Sequence, residues 1–148
     1  MAFARRAART KALDVAASQP RGTLVLGADT IVVSGSHILG KPRDPRDAVR
    51  MLRKLSSRTH QVNTGVCLVR APREVISVRH AITRVKFRKL SKAEIRTYVR
   101  TREPLDKAGS YAIQERASKF VTRIEGCYFN VVGLPVSLVY EMLKPLVH

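Results

Sequence analysis

A sheet protein of the α/β or α+β class is what this sequence predicts, on three observations. β-branched, apolar runs of strand length alternate with segments of helical periodicity. Two of the helices open on capping signatures, Asp44-Pro45 and Ser91 to Glu94. No low-complexity linker or internal repeat interrupts the 148 residues, so one domain over residues 1–148 is expected.

Residues 2–17 read as a helix. Phe3, Ala7, Ala8, Leu13 and Ala16 can share an apolar side, with Arg5, Arg6, Arg9 and Lys11 on wetter faces. Pro20-Arg21-Gly22 breaks it. Residues 23–33 are nearly all apolar, which suits a strand buried on both faces. Ser34-Gly35-Ser36 is a turn, and His37-Ile38-Leu39 returns as a short strand. Asp44 caps and Pro45 starts a helix running to about Leu55, with Ala48, Met51, Leu52 and Leu55 as its buried stripe. Residues 60–70 and 74–88 read as strands separated by Ala71-Pro72-Arg73. In the second, Thr83, Val85 and Phe87 alternate with Arg84, Lys86 and Arg88, so one face packs and the other is wet and basic. The capping box at Ser91 opens a helix to about Thr101. Residues 103–114 are mostly loop. Strands follow near Lys119 to Ile124 and at Tyr128 to Val132, and a closing helix runs from Pro135 to about Leu143.

Composition excludes some classes and favours others. No apolar run approaches the ~20 residues that span a bilayer, and no membrane partner is expected. The basic start has no apolar stretch behind it, against a secretory signal. Its Arg-rich character would suit an organelle transit peptide, but the apolar pattern continues into Leu13 and Val15 as a helix would. A cytoplasmic location is expected, with Cys67 and Cys127 as buried free thiols. The 28 Lys+Arg against 11 Asp+Glu give a net charge of +17, a field that favours nucleotides, nucleic acid or an anionic surface. Aromatics are only 5% and Trp is absent, which argues against a single-strand stacking platform.

Four places could carry chemistry. Asp29 lies inside the apolar run Leu24 to Val33, where an ionised carboxylate needs a partner. It reads as a metal ligand or general base at a cleft, or as a strand-end carboxylate bonding nearby N–H groups. Lys41, between Gly40 and Pro42, can neutralise a phosphate as a point charge, or be one basic residue among 28. The segment Glu103-Pro104-Leu105-Asp106-Lys107-Ala108-Gly109-Ser110-Tyr111-Ala112-Ile113-Gln114 reads equally as a polar loop or a binding loop. Lys107 can meet a phosphate or Asp106, and Gln114 has both a donor and an acceptor for a base edge. Asn130-Val131-Val132-Gly133-Leu134-Pro135 reads as a strand-to-helix turn.

The order and wording of these blocks add what none carries alone. Gly27-Ala28-Asp29-Thr30-Ile31-Val32 is followed by Ile38-Leu39-Gly40-Lys41-Pro42, then His60 to Val66 with Thr64-Gly65-Val66. The series continues through Thr83 to Phe87, Glu103 to Gln114, and Asn130 to Pro135. From about Ala7 to Leu143 the chain resembles the Maf family of nucleoside triphosphate pyrophosphatases. The resemblance implies an α/β fold similar to that of inosine triphosphate pyrophosphatases: a long, mixed, twisted sheet flanked by helices, often in a homodimer. It implies hydrolysis between the α- and β-phosphates with a divalent metal, Mg2+ or Mn2+, and a dTTP/UTP preference. Carried over by position, Asp29 is the catalytic acidic residue, acting on metal-activated water or as general base, and the metal ligand. Thr30 lies beside it at the base or sugar. Lys11 matches the family's helix lysine, Lys41 the phosphate-facing lysine and Gln114 the base-selecting glutamine. Lys107 is a further substrate-binding residue.

The family pattern also includes an opening strand and a Ser-x-Ser-Pro-Arg-Arg helix start that holds the phosphates. This sequence has no such motif, so its first strand and helix are expected to be missing. Three readings follow: an active dTTP/UTP pyrophosphatase, a weak or inactive nucleotide-binding relative, and a basic nucleic-acid-binding protein on the same fold.

Overall fold

A computed structural model describes residues 2–147. The elements in order are α1 (Ala2–Ala16), β1 (Leu24–Ser34), β2 (His37–Leu39), α2 (Pro45–Leu55), β3 (Thr59–Arg70), β4 (Glu74–Phe87), α3 (Lys92–Arg100), β5 (Val121–Glu125), α4 (Tyr128–Val132) and α5 (Val136–Val147), with short 3-10 turns between α3 and β5. The strands form one five-stranded sheet in the order β2-β1-β3-β4-β5, antiparallel at both edges. A helix-flanked α/β sheet is therefore as expected. No helix among the described residues is long and apolar enough to cross a membrane.

The chain divides into two compact units. The first holds residues up to Thr30, Asn63–Ile82 and Phe129 onward; the second holds Ile31–Val62 and Thr83–Tyr128.

In the first unit, strand alternation sorts side chains onto two helices. Cys67, Val69 and Ala71 pack with Val25 against Ala8, Ala12 and Ala16 of α1. Val66 and Leu68 pack with Ala28 against Val139 and Met142 of α5. The buried stripe of α1 is Ala4, Ala8, Ala12 and Ala16, one residue per turn. This corrects the expected face, because Phe3 is exposed and Ala7 and Leu13 only half-buried. Gly27 and Gly65 show why. A Cβ built on Gly65 would fall on the Ala4 carbonyl and the Arg5 amide, and one on Gly27 would meet the Ala8 carbonyl and the Ala12 Cβ. The backbones of helix and strands touch there, so only alanine fits between them.

Three further expectations change. β1 is not buried on both faces: Leu24 and Leu26 are exposed. Tyr128–Val132 is a helical turn and not a strand. Gly133, at φ 131°, ends it, with the Gly133 and Leu134 amides both donating to the Phe129 carbonyl. That is a glycine-terminated helix end, and an apolar run of five residues carries no period that separates it from a strand. The closing helix continues past Leu143 to Val147. Cys67 is buried as expected, whereas Cys127 is only half-buried; both are free.

The second unit follows its sequence closely. The Asp44 side chain accepts from the Asp47 amide at the start of α2, whose stripe Ala48, Met51, Leu52 and Leu55 is buried. The Ser91 and Glu94 capping box opens α3. Thr83, Val85 and Phe87 point inward on β4 while Arg84 and Lys86 are exposed. Gly109, at φ 69°, donates its amide to the Gly40 carbonyl, and a Cβ there would meet Val32 at 2.8 Å. The 103–114 segment is thus pinned against the loop that carries Lys41.

Candidate active site

Close backbone contact in the first unit positions the acidic candidate. Gly27 lets α1 approach β1, and Asp29, two residues on, points to the same face. Lys11, beside Ala12 on α1, reaches it: Lys11 Nζ donates to Asp29 Oδ1 at 2.5 Å. The Asp29 side chain is 18% exposed and that of Lys11 60%. The pair therefore stands partly open to solvent and adds little stability. Its chemical consequence is local. One carboxylate oxygen is held by an ammonium group, and the other accepts no hydrogen bond from the described residues.

Thr30 projects to the opposite face from Asp29. Its hydroxyl lies 2.8 Å from that of Thr64, which donates to the Asn130 carbonyl at 3.3 Å, and it donates weakly to the Gly133 carbonyl at 3.5 Å. A polar seam of Thr30, Thr64 and Asn130 thus ties β1 and β3 to α4 within the first unit. The seam's Thr64 and Asn130 lie in the motif blocks, but no spacing in the sequence shows that they meet.

The second unit carries Lys41, Lys107 and Gln114. Lys41 and Gln114 are exposed, and Lys107 is half-buried. Lys107 Nζ donates to Asp106 Oδ1 at 2.9 Å. Lys107 therefore holds the Asp106 carboxyl below its usual range, with a smaller contribution from Lys41, and Asp106 raises the Lys107 ammonium in return. Lys41 and Lys107 thus both face Asp106, as the Gly109–Gly40 contact requires. An open groove of about 830 Å³ beside them is lined by Arg102, Glu103, Asp106, Lys107, Glu115 and Arg116. Glu103 fastens it, accepting from the Tyr98 hydroxyl and the Arg116 amide, both at 3.1 Å.

Sequence reasoning missed a buried pair in this unit. Tyr111 Oη lies 2.6 Å from His60 Nε2, and both rings pack edge-on against Phe87. Burial lowers the His60 imidazole to about 4, so it is neutral at pH 7. Between pH 6.5 and about 4 the unfolded chain binds the proton that the folded chain refuses. Stability should therefore be complete above pH 6.5 and fall by on the order of 3 kcal/mol as the pH approaches 4. Urea melts at pH 7 and 4.5 check this. His60→Gln should flatten the dependence, and an equal slope in both proteins would refute the assignment.

Among the described residues, no three His, Cys, Asp or Glu side chains gather as a metal cage. The donor set still fits a hard divalent cation. Mg2+ is ordinarily held by one or two carboxylates, with water and substrate phosphates completing the shell. Asp29 is a carboxylate of that kind.

The chain is similar in sequence to several known proteins. The dTTP/UTP pyrophosphatase of Koribacter versatilis is 51% identical over 142 residues, covering 96% of this chain and 72% of that protein. Those of Syntrophomonas wolfei and Aquifex aeolicus are 53% and 46% identical, covering 95% and 97% of this chain and 74% of each relative. The family model described as Maf-like protein matches residues 1–146. On that match and these identities, the chain belongs to the Maf-like protein family.

Proposed function

We propose that this chain is a nucleoside triphosphate pyrophosphatase that hydrolyses dTTP and UTP to the monophosphate and pyrophosphate. The observation that carries the reading is identity near 50% to dTTP/UTP pyrophosphatases along almost the whole chain. The Lys11–Asp29 pair supports it.

In this reading a water attacks the α-phosphorus, the bond to the bridging oxygen breaks, and pyrophosphate leaves. Asp29 takes the water's proton through the carboxylate oxygen that Lys11 leaves open. Lys11 fixes the carboxylate's orientation. Lys41 and Lys107 neutralise phosphate oxygens, whose negative charge would otherwise repel the attacking water. Lys107 must exchange Asp106 for the phosphate to do so. Gln114 pairs with the base edge, using donor and acceptor together. Thr30 acts from the Thr64 seam at the base or sugar. Asp29 would hold a divalent cation, Mg2+ or Mn2+, which would supply further positive charge at the phosphates.

Pyrophosphate release from a panel of dTTP, UTP, CTP, GTP and ATP with Mn2+ tests the proposal. dTTP and UTP should be turned over at least about tenfold faster than the others, a discrimination of roughly 1.4 kcal/mol. No release from any nucleotide by chain shown to be folded would overturn it.

A further inference from the structure

The second unit carries a basic surface that none of the proposed catalytic roles uses. On α2, Arg46, Arg50 and Arg53 follow one another at spacings of four and three residues, so they rise along one side of the helix for roughly 10 Å. With Lys54 and Arg58 they line an open groove of about 480 Å³ whose only other lining residue is Val49. A second hollow of about 180 Å³ begins at the next residue, Thr59, and is lined by Arg84, Lys86, Arg123 and Glu125. The two adjoin: the Phe87 amide donates to the Arg58 carbonyl at 3.0 Å, placing the end of the groove against the strand that carries Lys86. Lys86 and Arg123 are cross-strand partners, so their cations share this edge of the sheet.

Little negative charge opposes this strip. Asp47 is buried, and its carboxylate accepts from the Arg43 amide and from the Arg50 side chain, which hold it below the usual carboxylate range. Glu125 pairs with Arg123. Arg46, Arg53, Lys54, Arg58 and Lys86 have no carboxylate partner among the described residues. Unpaired cations at such density repel one another, and an anion with repeated charges is the ligand that relieves this. The row is too long for a single phosphate. No aromatic side chain stands among the cations, so unstacked bases have nothing to lie on. A duplex, with its bases enclosed and its phosphates outside, needs none.

We propose that the α2 groove and the adjoining β4–β5 edge bind the phosphate backbone of double-stranded DNA without regard to sequence. The contact is electrostatic, so counterion release sets its strength. The site is independent of nucleotide hydrolysis, and the two readings can fail separately.

Fluorescence anisotropy with a labelled 20-base-pair duplex of mixed sequence tests it. Binding is expected with a Kd on the order of 1 μM at 50 mM salt, weakening steeply as salt rises. The triple variant Arg46→Glu, Arg53→Glu, Lys54→Glu should bind at least tenfold more weakly. The triple variant Arg5→Glu, Arg6→Glu, Arg9→Glu changes net charge equally on α1 and should stay within threefold of the parent. These side chains are exposed apart from the half-buried Lys54, and thermal melts check that both variants fold. Equal losses in the two variants would mean diffuse charge and overturn the site. So would no binding at 50 mM salt, or binding to phosphatidylserine vesicles with none to the duplex.

Discussion

Replacing Asp29 with asparagine should lower dTTP turnover by roughly a thousandfold, the usual worth of a positioned general base. Asparagine keeps the shape but accepts no proton at neutral pH and binds a cation poorly. The fold should survive the change. The Lys11–Asp29 pair is partly open to solvent, with Lys11 60% exposed, and such pairs contribute under about 1 kcal/mol. Affinity for dTTP, measured by equilibrium dialysis under conditions without turnover, should change far less than the rate. A rate within threefold of the parent would remove Asp29 from the chemistry. A lost rate with an equally lost affinity would recast it as a binding residue.

Gly65→Ala should be the most destabilising single-methyl change in the first unit. The new Cβ would coincide with the Ala4 carbonyl and the Arg5 amide, and backbone cannot swing aside as a flexible side chain can. Relief requires α1 to lift from the sheet, which opens the core of Ala8, Ala12, Cys67 and Val69. Overpacking of this kind costs about 3 kcal/mol, or roughly 10 °C in melting temperature at this size. Gly40→Ala is the control, because nothing lies within 4 Å of its Cβ position. Identical melting of the two variants would contradict the proposed close contact. Gly65→Ala should also slow turnover, since α1 carries Lys11.

Elements with a strong local signal were legible in the sequence. α2 has its cap, its first-turn proline and a stripe of large apolar residues, and α3 has both halves of a capping box. β4 shows the alternation that one wet face requires. What could not be read depends on distant partners. The small-residue face of α1 is chosen by Gly27 and Gly65, which are distant in sequence, so a period count favoured the larger Phe3 and Leu13. The 128–132 turn is decided by the backbone of Gly133, not by its apolar residues. Asp29 stood out as a candidate because a carboxylate inside an apolar strand is unusual. Its partner Lys11, 18 residues away, came only with the family resemblance. The His60–Tyr111 pair spans 51 residues and leaves no local trace.

The proposed reaction places the attack of water on the α-phosphorus of dTTP. Hydrolysis in 18O-labelled water, with products resolved by mass spectrometry, tests it most directly. The expected products are dTMP carrying one 18O atom and unlabelled pyrophosphate. Label in the pyrophosphate, or dTDP and phosphate as products, would contradict it.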